Sequence, residues 1–331
     1  MKVKFLIVRF SSIGDIVLTT PIIRCIKEQI DGAEVHFVTK KQYASLVIQN
    51  PYIDKVHLLE TNLNDLIKHL KEENFDYIID LHHNLRSTII KLRLRILSFT
   101  FKKINFQKWL MVFLKKNILP EKHVVTRYFE TISKFDVKND NKGLDFFIEQ
   151  KNEANLFTFP LAFHNGYVAL VIGARHFTKQ LPEDKLSQIC KGIEMPVIML
   201  GGQEDLEKAE RIIELSNKSE IFNACGGYNL QQSASIVRQA KVVITHDTGM
   251  MHIAAAFKKN IISIWGNTIP EFGMYPYIPN MDYYKFEVEG LKCRPCSKLG
   301  YKKCPKKHFN CMNMQNIKGI IDLSNRLLKN D

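Results

Sequence analysis

Short runs of apolar residues alternate along the chain with segments whose apolar residues recur every three to four positions. The first pattern is typical of fully buried strands, and the second is typical of amphipathic helices. In the first half, the predicted strands cover residues 4–8, 33–39, 55–59, 75–81 and 143–150. The predicted helices cover residues 15–30, with Pro21 as a kink, then 43–50, 64–73 and further helices within 84–127.

The alternation restarts after a polar stretch, residues 151–166, that contains Pro160 and has no strong periodicity. The second half then has predicted strands at residues 167–173, 196–202, 221–226, 241–247 and 260–266. Its predicted helices cover residues 184–193, 204–216, 230–240, 248–257 and 316–329. Strands that alternate with helices indicate a parallel sheet with helices on both faces. The sequence therefore predicts two doubly wound α/β domains, residues 1–155 and 156–331, that face across a cleft; the last helix could pack back on the first domain.

The composition narrows the functional classes. The chain has 331 residues and is 45% hydrophobic, which suits two domains. It contains no run of about 18 uninterrupted apolar residues, so no membrane span is expected. The first residues lack a signal-peptide pattern, so a cytoplasmic protein is expected. The net charge of +13 indicates an anionic partner: nucleic acid, a lipid surface or a phosphorylated substrate.

Basic residues are concentrated between residues 84 and 127, with apolar residues interleaved. Glu121 is the only acidic residue in this stretch of the sequence. This pattern fits an anionic acceptor or the inner membrane surface, to which each lysine or arginine adds about 1 kcal/mol of attraction. A solvated basic face on ordinary helices is the alternative. Nucleic acid is disfavoured because no recognition motif accompanies the charge.

Polar residues follow several of the predicted strands, and ligands of open α/β sheets bind at these carboxyl ends. After the strand at 241–247, Asp247, Thr248, Gly249 and Met250 begin a helix whose free N–H groups favour an anion. His252 lies one turn further on and can face the same anion. Helix capping by Asp247 or Thr248 explains the same residues without a ligand.

Two more loops carry candidate ligands. Arg175 and Lys179 follow the strand at 167–173, and a lysine there suits a diphosphate. Glu204 and Asp205 follow a Gly-Gly turn, where an acid can bind ribose hydroxyls. A solvated loop lysine and first-turn helix acids are the alternatives.

The stretch RFSSIGDIVLTTP, residues 9–21, places a lone acid at a helix start. Gly14 makes the tight turn, and we group it with the donor-binding residues. If Ser11 or Ser12 caps the helix, Asp15 can face the cleft as a general base; a favourable charge on the helix dipole is the alternative. The stretch lacks G-x-G-x-x-G spacing, which disfavours a dinucleotide oxidoreductase.

Four cysteines near the C-terminus have the spacing C-x2-C-x7-C-x6-C. One C-x2-C pair is typical of zinc sites, but the second pair is more widely spaced than in a zinc ribbon. Structural zinc, reduced thiols and another metal cluster therefore stay open, and disulfides are disfavoured in a reducing cytoplasm. The candidate ligands are Cys293, Cys296, Cys304 and Cys311.

These motifs together resemble glycosyltransferase family 9, the ADP-heptose:lipopolysaccharide heptosyltransferases, from residue 3 to about residue 320. The resemblance is carried by residues 9–21, DLHHNLRS (80–87), GARHFTKQLP (173–182), ITHDTGMMHIAAA (244–256) and SIWGNTIPEFGMYPY (263–277). It implies the GT-B fold and an inverting, metal-independent transfer of a sugar from a nucleotide diphosphate to a lipid-linked saccharide of the lipopolysaccharide core. The sequence departs from these enzymes at Ala174 and Arg175, where two hydroxyl residues are expected, so the donor sugar stays open.

The resemblance also implies roles for the candidate residues. Asp15 matches the catalytic base, and Lys179 matches the lysine that stabilises the leaving diphosphate. Asp247 matches a donor-sugar ligand, and either Glu204 or Asp205 matches the ribose ligand. Thr248, Gly249 and Met250 match the residues whose backbone amides hold the phosphates, with His252 nearby. The acceptor and membrane side is assigned to Arg86, Lys102, Lys103, Lys115 and Lys116. The rival functions are another GT-B sugar-nucleotide enzyme, such as an epimerase or hydrolase, and a silent membrane-associated binding module.

Overall fold

The computed structural model describes residues 2–279, 281 and 283–329. These residues form two compact units. Unit 1 runs to Ile104 and also contains Glu121–Phe147, whereas unit 2 contains Asn105–Pro120 and the described residues from Ile148 onward. The predicted boundary after residue 155, and the roles assigned to the two halves, stay predictions.

The elements of both units follow one another in the alternating order that the hydrophobic pattern predicts. In chain order, the strands are β1 (Val3–Val8), β2 (Ala33–Lys40), β3 (Lys55–Leu59), β4 (Tyr77–Asp80), β5 (Leu97–Thr100), β6 (Val168–Val171), β7 (Val197–Leu200), β8 (Ile221–Asn223), β9 (Val242–His246), β10 (Asn260–Trp265) and β11 (Tyr284–Glu287). The α-helices are α1 (Ile13–Val17), α2 (Thr20–Gln29), α3 (Leu63–Glu72), α4 (Leu85–Leu94), α5 (Asn105–Trp109), α6 (Val124–Thr131), α7 (Glu183–Gly192), α8 (Leu206–Ser216), α9 (Leu230–Gln239), α10 (Gly249–Ala256), α11 (Asn310–Asn313) and α12 (Ile317–Lys329).

The sheet of unit 1 is parallel, with the strand order β3-β2-β1-β4-β5. The order reverses direction at β1, so β1 and β4 are neighbours, and Val8 lies opposite both Val38 and Asp80. In open sheets such a reversal opens a crevice beyond the carboxyl ends of the two strands. The chain segments that follow β1 and β4 therefore meet at one edge of unit 1.

The sheet of unit 2 is also parallel and has the order β11-β10-β9-β6-β7-β8. Its reversal lies between β6 and β9, so the segments after these strands form the corresponding edge. Helix α12 buries Ile320, Leu323 and Leu327 in the core of this unit. The helix that we expected could return to the first half thus has its apolar face in unit 2.

The helix predicted over residues 15–30 is two helices. α1 ends at Val17 and α2 begins at Thr20, so Pro21 is the second residue of a new helix and not a kink inside a long one. The first residues of a helix make no intrahelical N–H bond, and proline is therefore tolerated there without loss.

The strand predicted over residues 143–150 is absent from the sheets of the described residues. Side chains of α2 hold this segment instead: Asp145 donates its N–H to the Thr20 hydroxyl, and the buried Arg24 donates to the Gly143 carbonyl. Arg24 also forms ion pairs with the carboxylates of Asp140 and Asp145. An apolar run was read as a strand because the sequence does not show these long-range partners.

We predicted helices within residues 84–127, and the structure has α4, α5 and the start of α6 there. These residues also contain β5, an edge strand that pairs with β4, and a π-helical turn at Leu110–Leu114 that continues α5. β11, at the edge of the second sheet, was missed as well. Within the described part of the chain, no helix combines the length and the hydropathy needed to cross a bilayer.

Candidate functional site

Asp15 lies at the edge of unit 1 where β1 gives way to α1, and Ser12 caps that helix. One carboxylate oxygen, Oδ1, is 2.6 Å from the Arg9 guanidinium. The other, Oδ2, accepts hydrogen bonds from the Ser12 hydroxyl at 2.8 Å and the Ser12 N–H at 3.3 Å. The Asp15 side chain is still 25% exposed, so Arg9 and Ser12 orient the carboxylate while part of it stays accessible to solvent. It combines the two roles that the sequence left as alternatives: helix start and accessible carboxylate.

Arg9 is the buried anchor of this carboxylate. Its guanidinium donates to the carbonyls of Ser11 and Leu81 and to the Tyr128 hydroxyl. Burial has the largest single effect and lowers the Arg9 pKa, but Asp15, Tyr128 and Asp80 together outweigh it, so the pKa is raised. Burial also raises the pKa of Tyr128 to about 12, which keeps the phenol neutral. Sequence reasoning missed both residues, although an arginine directly after a buried strand was a usable signal for Arg9.

The turn after β4 brings a histidine to the same edge. Asp80 is fully buried and accepts hydrogen bonds from the His83 N–H, the Ser87 hydroxyl and the Lys91 amine, which fixes the turn and the start of α4. Burial and the charge of Arg9 lower the pKa of His82 to about 4. The buried Nδ1 atom of His82 has no hydrogen-bond partner among the described residues. His82 is a neutral imidazole that we did not single out within DLHHNLRS.

The cations predicted to face the acceptor or the membrane differ in accessibility. Arg86, Lys102 and Lys103 are exposed in unit 1, and Lys116 is exposed in unit 2. Lys115 has an exposed stem, but its amine donates to three backbone carbonyls, those of Val112 (2.7 Å), Cys293 (3.3 Å) and Pro295 (2.6 Å). Burial of this amine lowers the pKa of Lys115. Lys115 therefore fastens the end of this segment within unit 2, and its role toward the acceptor or the membrane stays a prediction.

In unit 2, the ends of three strands converge on one ion pair. Lys179 closes a short 3-10 helix after β6, and its amine is 2.6 Å from Asp247 Oδ2 at the end of β9. The same amine donates to the Asp247 carbonyl at 3.1 Å. Thr268, after β10, donates its hydroxyl to Asp247 Oδ2 at 2.8 Å. The pair lies at the reversal of the strand order, where the sequence analysis placed both residues.

The N-terminus of α10 begins beside this pair. Thr248 is its N-cap and Gly249 its first residue, so the N–H groups of the first turn have no intrahelical acceptors and carry the positive end of the helix dipole. His252 is buried within this helix. The preceding His246 is fully buried, its pKa is lowered to about 3 by burial, and its Nε2 accepts the Leu181 N–H. A fixed amine and a helix N-terminus thus lie at one sheet edge, an arrangement that favours a diphosphate.

The two acids after β7 have different environments. Asp205 is buried, and its Oδ2 accepts the Gly202 N–H at 3.0 Å. A Cβ atom at Gly173 or Gly201 would overlap its carboxyl group, which explains both glycines. Burial raises the pKa of Asp205. Glu204 is exposed, and the ribose role of either acid stays a prediction.

The neighbouring loops complete this edge of unit 2. Arg175 is exposed ahead of Lys179, and burial, then Lys179 and Arg175, lower the pKa of His176 between them. Met250 is half-buried in the first turn of α10, and in unit 1 Gly14 is buried beside Asp15.

The loop that carries the first two clustered cysteines supports the end of β10. Arg294 is bound to the carbonyls of Gly266 (2.7 Å) and Thr268 (2.8 Å) and to the Glu287 carboxylate (2.6 Å). The Cys296 N–H donates to the Asn267 carbonyl. The buried side-chain amide of Asn267 has no hydrogen-bond partner among the described residues. Asn267 is a further site candidate that we missed, and its position just after a buried strand was the available signal.

Structural zinc, one of the three possibilities that the sequence left open for the four cysteines, is not supported by the structure. The seven cysteines, all within the described residues, are free thiols, and burial raises the pKa of Cys311 to about 12. Cys293 lies 3.7 Å from His308 Nε2, yet no three sulfurs of the cluster converge as zinc ligands do. Among the described residues, the group of three metal-type ligand atoms within 4.8 Å of one another is His36, His57 and Glu73.

Comparison with known proteins agrees with this geometry. The model of glycosyltransferase family 9 (heptosyltransferase) matches residues 63–302. Lipopolysaccharide heptosyltransferase 1 of Campylobacter coli is 24% identical over 288 residues, 80% of this chain and 84% of that protein. Lipooligosaccharide heptosyltransferase 2 of Campylobacter jejuni is 24% identical over 328 residues, 96% of each chain.

Solved structures show the same fold. Escherichia coli ADP-heptose lps heptosyltransferase II is similar with a TM-score of 0.74 at 16% identity, covering 100% of this chain and 99% of that one. E. coli heptosyltransferase WaaC, solved with ADP, has a TM-score of 0.68 at 19% identity and covers 97% and 99%. TibC, described as an iron-containing dodecameric glycosyltransferase of enterotoxigenic E. coli, has 0.59 at 12% identity, covering 99% and 78%.

Two Rossmann-like parallel sheets, each with its polar residues at the reversal of strand order, agree with the GT-B fold of these structures. The family match covers more than half of the sequence and includes Lys179, Asp247 and the start of α10. The chain therefore belongs to glycosyltransferase family 9, the heptosyltransferase family, and is a glycosyltransferase with a GT-B fold.

Proposed function

We propose that this glycosyltransferase moves a heptose from ADP-heptose onto a lipid-linked saccharide of the lipopolysaccharide core, with inversion and without a metal ion. The relatives support the donor and the acceptor, because their names describe lipopolysaccharide and lipooligosaccharide heptosyltransferases. The observation that carries the proposal is the amine of Lys179 beside the N-terminus of α10, since together they suit a nucleoside diphosphate.

The donor half of the reaction breaks the bond between the anomeric carbon of the sugar and the diphosphate oxygen. The electron pair of this bond leaves with the nucleoside diphosphate. Lys179 and the first-turn amides of α10 stabilise the charge that grows there, and they need no reorganisation to do so. These groups supply the positive charge for which other transferases use a divalent cation. We therefore expect activity to survive a chelator.

The acceptor half forms the new glycosidic bond from the opposite face of the sugar. Asp15 takes the proton of the acceptor hydroxyl, and the oxygen attacks the anomeric carbon, which inverts the configuration. The Asp15 carboxylate is suited to this role because Arg9 and Ser12 fix its direction while a quarter of its surface stays exposed. The nearby neutral His82 can position a hydroxyl without competing for its proton.

The direct test is turnover of ADP-heptose with a core lipid that lacks the transferred heptose. We expect ADP release, a mass gain of one heptose on the lipid, an inverted anomeric configuration by NMR, and no loss in EDTA. ADP release with an unmodified lipid would indicate a hydrolase. Thermal stabilisation by ADP, UDP, GDP, CMP and NAD identifies the donor base: we expect ADP to act most strongly.

The acids after β7 give a prediction that separates ligand binding from folding. Glu204→Gln is expected to weaken ADP binding several-fold at unchanged stability, because Glu204 is exposed at the proposed ribose position. Asp205→Ala is expected to lower the free energy of unfolding by about 1–3 kcal/mol, because the part-buried Gly202 N–H loses its acceptor. Urea unfolding and ADP calorimetry on both variants check this. Equal effects of the two changes on stability would contradict the assignment.

The acceptor also bears on where the enzyme works. A lipid-linked saccharide is presented at a membrane, and the basic residues of 84–127 suit anionic headgroups. We place the protein in the cytoplasm, peripherally attached to the inner face of the inner membrane. No nucleic acid partner is proposed.

A further inference from the structure

Four large apolar side chains lie exposed on one short segment of unit 2. They form what we call the aromatic strip: Phe106 (65% exposed), Trp109 (48%), Phe113 (65%) and Leu114 (62%). The three rings follow one another along α5 and the π-helical turn that continues it, with centroids 6.4 Å and 5.6 Å apart. Contiguous exposed apolar surface of this kind marks a site of interaction with a protein or a membrane.

The opposite side of the same segment is fixed to unit 2. Val112, with Met111 and Leu119 beside it, packs on Ile269 and Phe272. The amine of Lys115 holds the end of the turn through the carbonyls of Cys293 and Pro295. The segment thus has one buried and one exposed apolar side. These contacts fix the segment so that its exposed apolar side faces solvent.

The charged residues next to the aromatic strip in sequence indicate its binding partner. In sequence, Lys102 and Lys103 precede the strip and Lys116 follows it, and all three are exposed. Glu121 is the only acid of the sequence between residues 84 and 127. A second copy of the chain on this surface would bring like charges together, whereas anionic phospholipid headgroups complement them. Aromatic rings, tryptophan above all, are favoured at the boundary between headgroups and acyl chains.

We propose that the aromatic strip inserts into the headgroup–acyl boundary of an anionic phospholipid bilayer. The proposal deepens the proposed function, and rests on it only for the lipid-linked acceptor that makes the bilayer the place of work. It changes the predicted mode of attachment: apolar insertion adds to the attraction of the lysines. The amine of Lys115 is bound to backbone carbonyls and is therefore less free to reach a headgroup than the other lysines.

The two tryptophans of the chain make insertion directly observable. Trp265 is fully buried in β10, and Trp109 lies in the strip, so a change of fluorescence on lipid addition reports Trp109. With vesicles of phosphatidylglycerol and phosphatidylethanolamine we expect a blue shift and quenching by brominated acyl chains. With pure phosphatidylcholine we expect a smaller response, because the lysines lose their partners.

A matched pair of variants tests the strip itself. Phe106→Ser with Phe113→Ser is expected to weaken partitioning into anionic vesicles by about tenfold or more. Phe157→Ser with Leu161→Ser is the control, because both of these side chains are about 80% exposed in unit 2 outside the strip. Lys102→Glu with Lys116→Glu is expected to weaken binding at low salt. The wild type should retain part of its binding in about 0.5 M NaCl, where surface charges are screened.

Three results would overturn the proposal: vesicle binding of the strip variant equal to that of the wild type, wild-type binding without a blue shift, or an oligomer that the strip variant dissociates. The last result would assign the strip to a second copy. A water-soluble acceptor saccharide without lipid keeps this test apart from the catalytic one. The wild type and the strip variant should glycosylate it equally, and failure of both would count against the proposed function alone.

Discussion

Asp15→Asn is expected to lower kcat by about 10²–10⁴-fold, the usual contribution of a general base. The amide keeps the shape of the carboxylate, but its single oxygen can accept from only one of Arg9 and Ser12, because the NH₂ group takes the place of the other oxygen. It cannot take up the proton of the acceptor hydroxyl. Single-turnover rates with ADP-heptose and acceptor measure the chemical step, and ADP calorimetry should show unchanged donor affinity.

Asp65→Asn is the matched control for this change. Asp65 is the third residue of α3, as Asp15 is the third residue of α1, and it is exposed. Its loss removes the same favourable charge near a helix start without touching the site. Asp15→Asn should also lower the free energy of unfolding by about 1–3 kcal/mol, because the buried Arg9 loses its counter-charge. Full activity of the folded Asp15→Asn protein would remove Asp15 from the mechanism.

Lys179→Ala is expected to lower kcat/KM by about 10²–10³-fold, the range for loss of one fixed donor to a developing negative charge. The amine lies at the sheet edge where the diphosphate is proposed to bind, and α10 alone would then face the leaving group. The thermal stabilisation that ADP gives the wild type should largely disappear. Steady-state kinetics and thermal unfolding with ADP check both parts.

Lys185→Ala controls for the loss of a lysine in the same unit, because among the described residues Lys185 forms its ion pair with the neighbouring Asp184 of α7. Asp247→Asn gives a second comparison. If Asp247 acts by positioning Lys179, this variant should lose activity in proportion to its loss of ADP affinity. A Lys179→Ala enzyme within threefold of the wild type would place the diphosphate elsewhere.

The sequence was informative about the site because parallel strands carry their carboxyl ends to one edge. Polar residues that follow buried runs, such as Asp15, Lys179 and Asp247, could therefore be assigned before any coordinates. The family, the GT-B fold and the glycosyltransferase class were confirmed. The roles of these residues stay predictions that the variants above test.

The sequence did not show properties that depend on residues far away in the chain. Glu204 and Asp205 are adjacent acids, and only packing against Gly173 decides which one is buried. Lys115 looked like its neighbour Lys116, but its amine finds carbonyls that lie almost 180 residues away. The pKa values of His82 and Arg9 are shifted by burial and by neighbouring charges, which a local sequence motif does not show.

The division of the chain has a consequence for synthesis on the ribosome. Residues 105–120 belong to unit 2 but are made within the sequence of unit 1. Val112 leaves the ribosome long before Ile269 and Phe272, its packing partners, and at bacterial rates the delay is roughly 8–30 s. During that interval the side of the segment that carries Val112 lacks its cover, so both apolar sides are exposed. If the aromatic strip inserts as we propose, the nascent chain presents it before the enzyme is complete, and attachment to the bilayer can precede folding of unit 2.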